Sequence, residues 1–485
     1  MLATWAIEEV KAADLKDERL NDRLTRILSD LGDRPTASIP AACGGKAETT
    51  AAYRFFDNEK ATYERVIDPH YQRTRQRMGE QKVVLLVQDT TEIDLSRPAS
   101  LVDGAGPLDN SSRRGVFLHL MEAFSEDGTP LGAVWTKIWS RDEEELQKTP
   151  EEKRDWRRTA PIEEKESIRW VEGLRAAREA AAELPEVACV CVADSEADIY
   201  ELFAEPRGDR GKLHWLIRAC QDRGLKAEEP ESSTQLYEAV SSAPVLFTQT
   251  ISVRGHKAKT SCEKRSRRQP REDRTTEVEV RAATVQLRPP PRPDRKLPAA
   301  VVNVVLVREI ETPEGDAPVE WILVTTLPID DADQVRSIVH YYCVRWMIEV
   351  LFRTLKSGCR VEERRFECLD RLLPCAAVYV IVAWRTLFVC RLGRSCPDID
   401  CEAIFEPSEW RAVYVAVHRR AAPKRPPPLG EMVRLIAQLG GYVNYANRRD
   451  PPGPQTLWLG MQRMHDLAWA WEAFGPGAKT NQKDV

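Results

Sequence analysis

The chain lacks several features that would narrow its chemistry at once. Its twelve cysteines form no Cys-x-x-Cys and no paired Cys/His spacing of the zinc-binding kind. A zinc module is therefore excluded, and scattered free cysteines suit a reducing cytosol. Cys189 and Cys191 share one face of an expected strand, where packing is the simpler role. Excess charge of one sign is also missing. The net charge is only −5 over 485 residues. Any nucleic-acid contact must therefore come from local basic patches, not from the total. The N-terminus turns acidic within ten residues and lacks the pattern of a signal peptide. No internal repeat is visible. The most apolar run, Leu372 to Arg391, is interrupted by Pro374 and Arg385. It reads as a buried helix, not a membrane span, and no membrane partner is expected. Hydrophobic residues at 42% and charged residues at 30% describe a soluble globular chain. Its length suggests two to four domains with a large core.

The most informative stretch is Tyr342 to Lys356. Read as one helix turning about 100° per residue, it sets Tyr342, Arg345, Glu349 and Lys356 within about 60° of one another. Val344, Met347, Ile348, Leu351 and Leu355 fall on the opposite, core-facing side. A solvated polar face would explain such a stripe. The fixed spacing Tyr-x2-Arg-x3-Glu-x6-Lys also resembles the YREK signature of the Tn-five/IS-four group of DDE transposases. That resemblance demands two upstream aspartates at strand ends.

Both are present. Val83 to Val87 is a continuous apolar run, as in a strand buried on both faces. It ends in Gln88-Asp89-Thr90-Thr91. An aspartate past a strand is often a turn residue, but here it resembles the family's first catalytic aspartate. Glu92 and Asp94 are rival carboxylates. Val187 to Ala193 is a second such run, ending in Asp194-Ser195-Glu196-Ala197-Asp198 with a helix expected next. It resembles the family's Asp-x-Glu-Ala-Asp segment, which carries the second catalytic aspartate. Glu196 and Asp198 read best as caps of that helix.

The remaining order follows from periodicity. Residues 1–75 read as a helical domain. Leu20, Leu24, Ile27, Leu28 and Leu31 form one helix face, with Arg19, Arg23 and Arg26 on another, and Gly32 and Pro35 as its end. A second helix runs from Lys46 through residues 51–56. Gly115–Phe124 and Leu131–Trp139 read as strands joined at Ser125–Thr129. His119 reads as a packing residue or a support to the site. Residues 141–162 read as a charged surface loop, Glu163–Leu184 as a helix, and Leu213–Ala219 as a strand with Arg218 at its end. Three strands, helix, strand, helix, strand is the ribonuclease-H-like order. A mainly β insertion of about 221–335 follows, rich in alternating apolar residues. It includes a basic run, Arg254–Arg271, with eight Lys/Arg and one acid. From Cys368 onward the chain reads as helical, ending in a segment with Trp458, Trp469, Trp471 and Phe474.

The fold expected is thus α/β. A ribonuclease-H-like core with a β insertion (76–368) stands between an N-terminal helical DNA-end-binding domain (1–75) and a C-terminal helical dimerisation domain (369–485). The resemblance implies a metal-dependent DNA transposase acting by cut and paste through a hairpin. Asp89, Asp194 and Glu349 would be the catalytic residues and would bind two Mg²⁺ ions, with Mn²⁺ as a substitute and Asp89 as the bridge. Carboxylates suit hard cations where thiols do not. Two ions roughly 3.5–4 Å apart can serve both the attacking and the departing oxygen. Tyr342, Arg345, Lys356, Arg218 and the N-terminal Arg19, Arg23 and Arg26 would contact DNA. Trp321 stands twenty-one residues before Tyr342, where the family places a tryptophan that receives a flipped base; a core tryptophan is the alternative. The partners implied are transposon ends, target DNA and a second subunit in the synaptic complex, in the cytoplasm at the bacterial nucleoid. A ribonuclease-H-fold nuclease without strand transfer would share the carboxylates without needing the insertion or the dimer domain. An inactive DNA-binding relative is the other alternative, and the intact carboxylates weigh against it.

Overall fold

A computed structural model describes residues 2–96, 102–109, 112–144, 148–206, 212–226, 235–253, 274–314, 316, 318–443 and 451–476. The basic run at 254–271 lies outside the described residues. The chain divides into two compact units. One comprises Met1–Gln81, Asp89–Lys148 and Met347–Val485, the other Lys82–Gln88 and Thr149–Trp346.

The second unit is built on a sheet. Its apolar runs form β1 (Val83–Asp94, of which residues 83–88 belong here), β5 (Ala188–Ala193) and β6 (Lys212–Arg218), all parallel. Val84 to Val87 are wholly buried, as a strand covered on both faces requires. The helix Ile168–Glu183 packs on β5 and β6 through Trp170, Leu174, Ala177 and Ala181. The insertion then continues the sheet. Its strands β7 (Val245–Val253), β8 (Arg274–Leu287), β9 (Ala300–Glu309) and β10 (Glu320–Thr325) are antiparallel, and β10 joins β6. The order is β1-β5-β6-β10-β9-β8-β7. The Pro/Arg-rich stretch after β8 is irregular. Glu201 holds Arg292 at 2.6 Å, and the Tyr200 hydroxyl donates to the carbonyl of Pro298 at 2.9 Å.

In the first unit, the end of β1 lies beside β3 (Arg114–Ser125), which is flanked by β2 (Gly106–Pro107) and β4 (Pro130–Trp139). The strand order matches the ribonuclease-H-like order. Five helices precede β1, and Glu18–Asp33 buries Leu24, Ile27, Leu28 and Leu31. That helix ends at Asp33, between Gly32 and Pro35 as expected, and a Cβ at Gly32 would meet the Trp5 ring at 2.5 Å. The long apolar helix Leu369–Ser395 is long and apolar enough to cross a membrane, but is mostly buried inside the protein.

Two expectations on the intervening chain change. Residues 141–162 are not all loop: Pro150–Thr159 is a helix started by a capping box between Thr149 and Glu152. The next helix begins at Ile168, after a short 3₁₀ turn at Ile162–Glu164.

Inside the first unit, the N-terminal helices are tied to the last helix, Pro454–Phe474. Arg34 pairs with Asp466 at 3.1 Å, and Thr36 donates to Gln462 at 2.6 Å. Between them, the half-buried His465 has its Nδ1 3.2 Å from Glu409 and 3.5 Å from Asp33. Burial pulls the imidazole pKa down and Arg385 adds to that, but Asp33 and Glu409 outweigh both and raise it. Burial also raises the Asp33 carboxyl. A folded-state pKa above the unfolded value means the charged His465 stabilises fully below about pH 6.5, and that contribution is lost as pH rises through the folded value. The melting-temperature gap between wild type and His465→Gln should therefore be widest near about pH 6 and narrow above it. A gap that instead shrinks as pH falls below about 6.5 would show that His465 is held neutral.

Candidate active site

The end of β1 carries three carboxylates in six residues. Side chains alternate along a strand, so Glu92 and Asp94 share a face and Asp89 points from the other. One cation, Arg113, takes the shared face. It donates to Asp94 at 3.0 Å, to Glu92 at 2.8 Å and to Asp109 at 3.0 Å. Burial raises the Asp94 carboxyl pKa, but hydrogen bonds from Ser96 and then Arg113 outweigh it and lower it. The rival carboxylates are thus committed to an arginine. Asp89 is half-buried and accepts the Thr90 N–H at 2.7 Å. His119, fully buried, contacts the Thr90 hydroxyl at 2.8 Å. It supports the segment next to Asp89, as expected.

Asp194 follows β5 directly. No long helix comes next. Asp194 itself accepts the Glu196 N–H at 2.8 Å and opens a 3₁₀ turn, Ser195–Ala197, before the four-residue helix Tyr200–Phe203. The capping roles expected of Glu196 and Asp198 fall away. Glu196 pairs with Arg169 at 2.8 Å. Asp198 is buried, pairs with Arg223 at 2.6 Å and accepts the N–H groups of Cys220 and Gln221. It fixes the chain leaving β6.

Around Asp194 the second unit gathers several of the expected DNA-contacting residues. Arg218 and Leu323 are directly opposed on β6 and β10, so Arg218 and Trp321 share a sheet face. The Arg218 charge acts on the Tyr342 hydroxyl and opposes the rise in its pKa. The Trp321 ring meets Tyr342 edge-on at 5.2 Å, and the Arg345 guanidinium lies 5.7 Å from the Tyr342 ring. Tyr342 is 6% exposed, so it is not part of a solvated stripe. Burial raises its hydroxyl pKa, Arg345 and Arg218 oppose this, and the charge of Asp194 adds to the rise. Trp321 is half-buried.

The helix expected over 342–356 is broken twice. Ala332–Val344 ends at Arg345, whose N–H bonds back three residues to Tyr342 at 3.2 Å, a tighter turn than α. Trp346–Arg353 then runs to a π turn, Thr354–Gly358. Glu349 stands half-buried in the first turn of Trp346–Arg353. Lys356 lies in the π turn and pairs with Glu362 at 3.4 Å. Gly358 closes that turn against Trp458, where a Cβ would approach the ring to 2.9 Å. Trp458 is therefore core, whereas Trp469 and Phe474 on the same helix are 67% and 83% exposed.

Near the N-terminus, Arg19 and Arg23 line an open groove of about 710 Å³ with Lys46 and Arg54. Arg23 also pairs with Glu48, and Arg26 is exposed outside the groove. Lys46 and Arg54 were missed by sequence reading. Their signal was present: Lys46, Thr50 and Arg54 recur at i, i+4 and i+8 on one helix. Arg113 gave no such signal, because its partners Glu92 and Asp94 lie 19 to 21 residues away across a strand pair.

Three family models match, in order. Residues 2–61 match Transposase DNA-binding, 171–373 match Transposase DDE domain, and 381–470 match Transposase Tn5 dimerisation domain. The chain belongs to the Tn-five/IS-four group of DDE transposases. The transposase thus has DNA-binding, catalytic and dimer-forming parts, and its family uses divalent metal ions for DNA cleavage and strand transfer. Among solved structures, the piggyBac transposase synaptic complex with hairpin DNA aligns at 10% identity and a TM-score of 0.32. That alignment covers 68% of this chain, which spans about half (52%) of the piggyBac chain. Among the described residues, no three His, Cys, Asp or Glu side chains come together as a metal cage.

The commitment of Glu92 and Asp94 to Arg113 has a measurable consequence. Glu92→Gln and Asp94→Asn should each leave DNA cleavage within about tenfold of wild type, since each removes only one partner of a partly exposed arginine. Asp89→Asn should remove it. Single-turnover cleavage of labelled end DNA checks this; loss of activity in Asp94→Asn with Asp89→Asn active would reverse the assignment.

Proposed function

We propose that this transposase cuts at the ends of its element and joins the freed ends to target DNA, with Asp89, Asp194 and Glu349 supplying carboxylate oxygens for two Mg²⁺ ions. One observation carries the reading. β1 and β5 run parallel and in register through Val87 and Val192, and an aspartate follows each by two residues. The donors suit a hard cation: they are half-buried carboxylates, and the neighbouring carboxylates Glu92 and Asp94 are held by Arg113. When bound, such ions activate the attacking oxygen and stabilise the departing one.

The chain's own residues do the rest. Arg345 and Lys356 hold phosphates of the strand being cut, and Tyr342 and Arg218 brace that strand from the sheet side. Water first cleaves a phosphodiester and frees a 3′-hydroxyl. That hydroxyl attacks phosphorus on the opposite strand, expelling the flanking DNA as its own 3′-hydroxyl and closing a hairpin. A second water reopens the hairpin, so that the regenerated 3′-hydroxyl can attack a target phosphodiester and expel the target's 3′-oxygen. The basic groove of Arg19, Arg23, Lys46 and Arg54 grips the element end, with Arg26 on its flank. Trp469 and Phe474, exposed on the last helix, supply apolar contacts to a second subunit in the synaptic complex. The compartment is the cytoplasm, at the nucleoid. A nuclease without strand transfer would have no use for the insertion or the dimer-forming part.

Changing Asp89, Asp194 or Glu349 to Ala should lower Mg²⁺-dependent cleavage by at least about 10²–10³-fold while end binding persists. Gel-shift and cleavage assays on one preparation separate the two. Loss of binding together with cleavage would make the carboxylates structural.

Trp321 receives the flipped base. Its ring is half-buried and braced edge-on by Tyr342, which leaves part of its surface for a base. Stacking of this kind is worth about 1–3 kcal/mol, so Trp321→Ala should slow hairpin closure roughly 5- to 150-fold and spare the first nick. A core tryptophan would instead cost about 3–5 kcal/mol of stability and slow both steps alike. Nicking and hairpin rates, read with the melting temperature of the same variant, decide between them.

A further inference from the structure

The segment after the YREK helix is irregular in a specific way. Lys356 lies in a π turn. Four residues on, Arg360 takes a left-handed conformation with φ of +51°, rare outside glycine. A 3₁₀ turn, Val361–Glu363, follows at once. Together these turns bring Glu362 back to within 3.4 Å of the Lys356 ammonium. Glu362 is itself pinned: its Oε1 accepts the main-chain N–H of Asp94 at 3.0 Å, at the end of β1. Asp94 is in turn fixed by Arg113. The neighbouring cation, Arg360, is taken by Glu363 at 3.6 Å. Two uncommon backbone turns in seven residues therefore serve one ion pair. Both its side chains are 29% exposed.

We propose that Glu362 is a positioning residue for Lys356. It holds the ammonium at the end of β1 and balances its charge until a DNA phosphate takes the carboxylate's place. The proposal rests on the reading that Lys356 contacts DNA. A partly exposed pair is weak, so exchange for a phosphate is easy. A buried pair would resist it. Because Lys356 begins the exchange already neutralised, it adds little to the attraction of DNA in general. It comes into play only where a phosphate is presented at that spot.

Glu362→Gln tests this, because glutamine keeps an oxygen to accept the Asp94 N–H but loses the charge. Binding of end duplex and of unrelated duplex is measured against salt for wild type, Glu362→Gln, Lys356→Met and the double variant, with melting temperatures as a control for folding. Glu362→Gln should tighten binding to unrelated duplex several-fold and steepen the dependence of log K on log salt by up to about one. In the Lys356→Met background the same change should have no effect. Glu362→Asp, which restores the charge, should return the slope toward wild type. An equal gain in both backgrounds would mean only that a negative charge had been removed, and would overturn the proposal, as would an unchanged slope in Glu362→Gln. If Lys356→Met alone leaves binding and cleavage at wild-type levels, the DNA-contact reading of Lys356 fails instead.

Discussion

The structure depends first on β1 being buried from Val84 to Gln88. A strand in that position must have its backbone groups bonded on both edges, because no water reaches them. β5 serves one edge in parallel register, and β3 lies along the other toward the strand's end. That arrangement leaves little freedom in where the following residues stand. Polar side chains can begin only where the cover ends, and they begin at Gln88 and Asp89. Even Gln88 stays fully buried, with its amide near the sulfur of Cys191 at 3.2 Å. Alternation then sorts the next carboxylates by face, and a single arginine claims one face. Asp89 is singled out by strand geometry before any chemistry is considered.

The second theme is how a chain of net charge −5 handles a polyanion. Among the described residues, several of its cations are matched by carboxylates. Arg23 is matched by Glu48, Lys356 by Glu362, Arg34 by Asp466 and Arg371 by Asp57. These pairs are partly exposed, so they are weak and salt-sensitive and can open when phosphate offers a better partner. Pairs that hold the fold together are different. Arg223–Asp198 and Arg274–Glu309 bury their carboxylates completely and would leave an unpaired buried charge if opened. Exposure thus separates weak surface pairs from pairs reserved for structure, although both look alike in sequence.

What the sequence made legible follows the same physics. Continuous apolar runs announced β1 and β5, and the residues just past them were candidates because polar groups must start at the edge of cover. The 3.6-residue spacing of Leu24, Ile27, Leu28 and Leu31 announced the second helix. The helix Pro150–Thr159 was not legible, because it is charged on every side and carries no apolar stripe; only its capping residues mark it. The breaks at Arg345 and Thr354 were hidden for the opposite reason. One tight turn and one π turn shift phase without disturbing which residues are apolar, so Ile348, Leu351 and Leu355 are buried either way. Gly32 carries two signals, a helix end one residue on and a close approach by the Trp5 ring, and only the first was legible. Partners distant in sequence, such as Arg113 for Glu92, leave no periodic trace.

The insertion shows why sequence position and spatial role can differ. It interrupts the ribonuclease-H-like order for more than a hundred residues, as an appended domain would. Its last strand nevertheless pairs antiparallel with β6, the final strand of the core order, so the sheet continues without an edge. That pairing sets Leu323 opposite Arg218, and Trp321, two residues earlier, must project on the same face. The helix that follows returns Tyr342 to that face, where it meets both side chains. A shift of one residue in the β6–β10 register would turn Trp321 to the other side of the sheet and leave Tyr342 without either neighbour. The insertion therefore brings Trp321 to the sheet face that carries Arg218, and the register of a single strand pair decides which face that is.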